Sequence, residues 1–149
     1  MKPMKQALAD ANRDTLIDDV VKLIDSEVAK KGGISGFALK KGYKVVKALK
    51  GGRMIHKATN HLLDDFTDAV APLHDEYREA GAQGTFSDYL RRNDKKASDA
   101  LLGITDKRAQ RAEHKLMKKT YSTLRPQAEK HVRDALPGLG QLIDRYTAG

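Results

Sequence analysis

The chain has 149 residues, a net charge of +8 and no cysteine. That length suits one domain with an ordinary core, and the missing cysteine excludes disulfides, a thiolate nucleophile and sulfur-based zinc sites. With 40% apolar and 32% charged residues and only four prolines, the composition is that of a charged globular helical protein, not a disordered one.

The opening MKPMKQALADANRD lacks the apolar stretch of a secretory leader, and the first twelve residues are expected to fray. Ile17, Val20, Val21, Ile24 and Val28 fall on one helical face, and Gly32-Gly33 reads as the end of that helix. Ser35 is placed to cap a second helix carrying Leu39, Tyr43, Val46 and Leu49, which Gly51-Gly52 terminates. A third helix holds Ile55, Ala58, Leu62, Phe66, Ala69, Val70, Leu73 and Tyr77 on one stripe, with a kink or a fresh start expected at Pro72.

Gly81 to Gly84 reads as a loop, and Thr85 with Asp88 resembles a capping box opening a short helix to Arg92. Ala97, Ala100, Leu101 and Ile104 give another short helix, after which Thr105 looks like a cap for a helix from Ala109 through Leu124 to Pro126, continuing past a kink toward Leu136. Pro137-Gly138 should end that segment before a last short helix over Leu139 to Tyr146. No strand alternation or internal repeat is present. The expectation is an all-α, single-domain bundle of about five to seven helices spanning 1–149. The longest uncharged run, Ala135 to Ile143, falls well short of the roughly 20 residues that cross a bilayer, so a cytoplasmic protein is expected.

Charge is unevenly placed. From Val28 to Leu63 there are nine bases and no acid, from Asp64 to Tyr89 seven acids and one base, and from Leu90 to Arg133 thirteen bases and five acids. In the second helix Lys40, Lys41, Lys44, Lys47 and Lys50 occupy about half the circumference at 100° per residue. Such a face reads as the solvated side of a bundle helix, as a track along nucleic-acid phosphates or as a surface on anionic lipid. A solvated face is the ordinary case for a charge run, though it would normally intersperse both signs and this one does not. In an antiparallel hairpin about Gly51-Gly52, Asp64, Asp65 and Asp68 would neutralise Lys40 and Lys41 only. Lys47, Lys50, Arg53 and Lys57 would stay positive, beside the amides of Gly51, Gly52 and Arg53 at a helix start. A second basic stripe, Lys107, Arg111, Lys115 and Lys118, is spaced as if on one helix.

These features point to a non-enzymatic interaction protein whose lysine-rich surface meets a polyanion, with non-specific binding of DNA or RNA as the first reading. Two basic stripes suit an extended phosphate track, while arginine and asparagine for reading base edges are scarce and no helix-turn-helix register is evident. An anionic lipid surface is the alternative; it lacks an exposed apolar face beside the lysines unless the second helix detaches and bares Phe37, Leu39, Tyr43, Val46 and Leu49. A third reading is a homo-oligomer in which Asp64, Asp65, Asp68, Asp75, Glu76 and Glu79 of one copy meet the basic segment of another.

Catalytic and metal chemistry find little footing. Gly32, Gly33 and Gly36 lack the Lys-Ser/Thr ending of a phosphate loop and read as a turn. His61 with Asp65 and His131 with Asp134 are isolated pairs without the Glu and Glu-x-x-His set of di-metal bundles. No nucleophile motif is present, so no catalytic residue, metal site or cofactor is assigned. Gly42, inside the second helix, points to close packing of another helix.

Overall fold

The computed structural model describes residues 1–148, apart from the side chain of Ser35. Among them are seven helices and no strand, in one all-α domain: α1 (Met4–Asp10), α2 (Arg13–Ala29), α3 (Gly33–Gly52), α4 (Met54–Glu79), α5 (Phe86–Arg92), α6 (Asp94–Arg111) and α7 (Lys115–Thr147).

Two adjoining clusters form the core. In the larger, Met4 from α1 meets Val70, Ala71, Leu73 and Tyr77 of α4, Phe86 and Leu90 of α5, Ala97 of α6, and Leu136 and Ile143 of α7. In the smaller, Leu16, Ile17 and Val21 of α2 pack with Leu63 and Leu142. Residues 4–10 therefore form a docked helix where the sequence shows no element, because Met4 and Ala7 fill space beside α4 and α7. The ends of the chain are joined directly. The Lys2 N–H donates to the Thr147 carbonyl at 3.2 Å, and the Tyr146 hydroxyl donates to Asp19 at 2.5 Å; burial first, and then this bond, push the Tyr146 pKa up to about 12.

α5 forms as read. The Asp88 N–H donates to the Thr85 hydroxyl at 3.0 Å, and Asp144 of α7 accepts from the Phe86 and Ser87 amides at 3.0 and 3.2 Å. One carboxylate thus satisfies two open donors of the first turn and favours the positive end of the helix.

Prolines and glycines behave differently from the sequence expectation. α4 runs through Pro72 as a single helix with no fresh start, and α7 runs through both Pro126 and Pro137 to Thr147, so there is no stop at Pro137-Gly138 and no separate last helix. The glycines here are approach points. A Cβ on Gly138 would sit 2.8 Å from Leu23 Cδ1 of α2, and one on Gly140 2.3 Å from the Ser87 Cα of α5. At Gly140 only bare backbone lets α7 come this close to α5, whereas at Gly138 the end of the Leu23 side chain would have to give.

Thr105 likewise does not start a helix. Its hydroxyl donates to the Leu102 carbonyl at 3.1 Å, a bond that suits a helix interior, and α6 continues to Arg111. The break falls at Ala112–His114, where Ala112 adopts extended values (φ −66°, ψ 132°).

Candidate polyanion interface

α3 begins at Gly33, so Ser35 lies inside its first turn and Gly32 takes the N-cap position; the Ser35 side chain lies outside the described residues. Gly36 permits the tight entry, since a Cβ there would lie 2.8 Å from the Lys31 carbonyl carbon. Helical geometry ends where Gly51-Gly52 predicts: Leu49 turns extended (φ −69°, ψ 156°), and Lys50 and Gly51 enter the left-handed region (φ 56° and 65°). Lys50 has no glycine freedom there, at a cost of about 1–2 kcal/mol.

Three helices hold α3. Gly42 packs on α7, with Thr120 Cγ2 and Leu124 Cδ1 at 3.2 and 3.3 Å from where its Cβ would be. Toward α2, the Asp25 carboxylate accepts from Lys47 Nζ at 2.9 Å and from the Tyr43 hydroxyl at 2.5 Å. Burial alone would raise the Asp25 pKa; these two bonds outweigh it and hold the carboxyl below its usual range. α3 also contacts α4. It sends no side chain into either core cluster, and Val46 is its one large buried residue among those described.

Lys47 thus has a carboxylate partner in Asp25, while nearly half of its side chain stays exposed. Lys40, Lys41, Lys44, Lys50, Arg53 and Lys57 are exposed, and among the described residues none forms an ion pair. The turn end changes too. The Arg53 N–H bonds back to the Leu49 and Lys50 carbonyls, so it is not an open donor beside Gly51 and Gly52.

The acidic residues expected beside Lys40 and Lys41 lie elsewhere. Asp64 pairs with Arg13 at 3.0 Å, Asp65 with Arg108 at 2.7 Å and Asp68 with Lys5 at 2.9 Å. That face of α4 turns to α1, α2 and α6, not to α3. Asp75 pairs with Arg78 at 3.9 Å. Glu76 accepts from Lys96 and Tyr89 at 2.8 and 2.9 Å, bonds that keep its pKa low. Of the six acids in the oligomer reading, Glu79 alone forms no ion pair within the described chain.

The second stripe is divided. Lys107 and Arg111 end α6 while Lys115 and Lys118 begin α7, and the non-helical Ala112–His114 stands between them. All four are exposed without an ion pair among the described residues. Instead, Asp106 at the same end of α6 accepts from Arg125 at 2.8 Å and from the Tyr121 hydroxyl, which lowers its pKa.

The surface of α3 also carries exposed apolar side chains. Of the large apolar residues that are exposed, three lie on α3: Ile34 at 92%, Phe37 at 69% and Val45 at 41%. With Lys41 and Ala48 they step by three and four residues along one face, opposite Leu39, Tyr43 and Val46. The lysines have apolar company without any detachment of α3. A two-sided apolar helix is visible in the sequence as an excess of apolar positions over one stripe, but which side faces the bundle is not.

Among the described residues no group of three or more His, Asp or Glu is placed to hold a metal ion; Asp65 and Asp134, near His61 and His131 in sequence, pair with Arg108 and Lys31. No described helix is long and apolar enough to cross a membrane. Neither the curated proteins nor the solved structures contain a match to the chain. A family model matches residues 4–147, from the first residue of α1 to the last of α7, and the chain belongs to that family, the family of unknown function DUF6918.

Proposed function

We propose that this protein is a non-enzymatic helical binding module that presents the outer face of α3 to a polyanionic partner. The observation that carries the reading is the run of exposed bases on α3 and at the start of α4 that form no ion pair among the described residues, with no acid in the same stretch. Lys107, Arg111, Lys115 and Lys118 of α6 and α7 are also exposed and without an ion pair among the described residues, whereas Arg13, Lys96, Arg108 and Arg125 are matched to carboxylates. Self-repulsion among Lys40, Lys41 and Lys44 weakens the isolated fold slightly and is relieved when an anionic surface approaches. The break at Ala112–His114 divides the second stripe between α6 and α7, which supports an extended phosphate track less than one continuous helix would. The ion pairs of Asp64, Asp65, Asp68, Asp75 and Glu76 leave fewer acids for charge-driven self-assembly.

The test is binding of the full chain to duplex DNA, RNA and anionic vesicles across a salt series. Affinity is expected to fall steeply with salt, and Lys40→Gln/Lys41→Gln/Lys44→Gln to flatten the logarithmic slope by about one unit per lysine for a nucleic acid. Absence of binding to all three at low salt sinks the reading.

A further inference from the structure

We infer that the partner of α3 is an anionic bilayer surface, on which the helix lies flat, with Ile34 and Phe37 inserted and Lys40, Lys41 and Lys44 at the headgroups. This rests on the polyanion reading above and goes beyond it in naming the partner. The chemistry lies in the combination. A phosphate track on nucleic acid asks for cations and gains nothing from Ile34 and Val45. A bilayer interface rewards apolar side chains that enter the acyl boundary beneath a ring of lysines.

The geometry suits it. The regular part of α3, 34–48, is about 22 Å long at 1.5 Å per residue, Gly33 lying in the left-handed region (φ 72°). Along it the exposed apolar stripe runs Ile34, Phe37, Val45 and Ala48 with Lys41 in line, while Lys40 and Lys44 lie round one side. Lysine at such positions keeps its ammonium in the headgroup layer while its stem lies along apolar surface. The opposite face is fixed to α2 and α7 through Asp25 and Gly42, so the helix is already formed and no ordering accompanies docking. Insertion is shallow because the rest of the face is lysine, alanine and valine.

A second copy of the chain fits this face less well. A two-fold contact through α3 sets Lys40, Lys41 and Lys44 against the same lysines of the partner, and most acids that might answer them are engaged within their own chain.

The experiment uses the full chain with vesicles of phosphatidylcholine alone, vesicles carrying about one-third phosphatidylserine, and duplex DNA and RNA of equal length, alongside light scattering for mass. Binding is expected to the phosphatidylserine vesicles and not to phosphatidylcholine alone, weakening about fivefold for each lysine changed to glutamine. Ile34→Ser/Phe37→Ser, at exposed positions and checked by circular dichroism, is expected to lower vesicle affinity tenfold or more. The chain has no tryptophan, so Phe37→Trp gives a single reporter whose emission shifts to the blue when the vesicles are added.

Vesicle binding that Ile34→Ser/Phe37→Ser leaves intact overturns the insertion. Binding confined to DNA or RNA overturns the bilayer assignment and leaves the polyanion reading standing, whereas binding to none overturns both. A dimer that the same double variant disperses, without vesicle binding, assigns the face to a second copy.

Discussion

The two ends of this molecule are built on different principles. Where α1, α5, the second half of α4, the start of α6 and the end of α7 meet, Phe86, Leu90 and Ala97 are fully buried and His74, Tyr77 and Phe86 pack ring against ring at 4.8–5.7 Å. At the other end, no residue from Gly103 to Ala135 is buried, and α3 buries little besides Val46. The first region follows core physics, in which area removed from water at about 25 cal/mol per Å² decides stability. The second keeps enough packing to stay helical and leaves its outer side chains available. Stability and surface chemistry are thus carried by separate segments, and substitutions should divide the same way.

The sharpest test is one residue type at both ends. Phe86→Ala removes a side chain with no exposed surface and is expected to cost about 3–5 kcal/mol in a denaturant titration. Phe37→Ala should stay within about 0.5 kcal/mol. A large loss at Phe37 would mean that α3 is buried in solution and would break the contrast.

Glycine gives a second pair with opposite signs. In Gly140→Ala the new methyl meets Ser87 backbone, including the Ser87 nitrogen at 2.8 Å, so α7 must move off α5 and the loss should be about 1–3 kcal/mol. Gly103, inside α6, has nothing within 4 Å of the added carbon. Gly103→Ala is expected to stabilise by about 0.5–1 kcal/mol through helix propensity and a less entropic unfolded chain. Thermal melts of the two variants check both signs.

The smallest effect is a titration. His74 is fully buried, and neither ring nitrogen meets a hydrogen-bond partner among the described residues. Burial lowers its pKa below the ordinary 6.5, helped by Arg78 and opposed by Asp75 and Asp144. Below about pH 6.5 the unfolded chain takes up a proton that the native state does not, so stability is full above that pH and declines as pH falls toward the folded pKa. The slope is at most about 1.4 kcal/mol per pH unit for this one group. His131 shifts the same way through burial and Lys31, so His74→Leu should reduce the slope of the melting-temperature profile between pH 6.5 and 5 without abolishing it. An unchanged profile would show that His74 finds a partner or solvent.

Periodicity made most of the fold legible. The stripes through α2 and α4 and the Thr85 cap of α5 correspond to observed elements because their apolar residues face a single core. Legibility failed where one residue type serves two purposes. Gly138 and Gly140 carry the same local signal as a helix end, yet their role depends on Leu23 and Ser87, which are distant in sequence. The break at Ala112–His114 has neither glycine nor proline to announce it, so Lys107 to Lys118 read as one stripe. At the candidate site the cations of α3 were evident from composition. Their pairing was not, since nothing local says that Asp25 takes Lys47 while Arg13, Arg108 and Lys5 take the aspartates of α4. Nor does local sequence tell that Ile34 and Phe37 lie outside, because an apolar residue at helical spacing is by default assigned to the core.

The joining of Tyr146 to Asp19, 127 residues apart, bears on kinetics. All-helical proteins commonly fold fast because their contacts are local in sequence, giving a low contact order. Here Met4 and Ile143 belong to one cluster and Leu16 and Leu142 to the other, so loop closure across nearly the whole chain precedes completion of either. The chain should fold more slowly than a bundle of sequential hairpins of its size, and removing the turn from Leu142 onward should cost the fold both clusters, not merely an end.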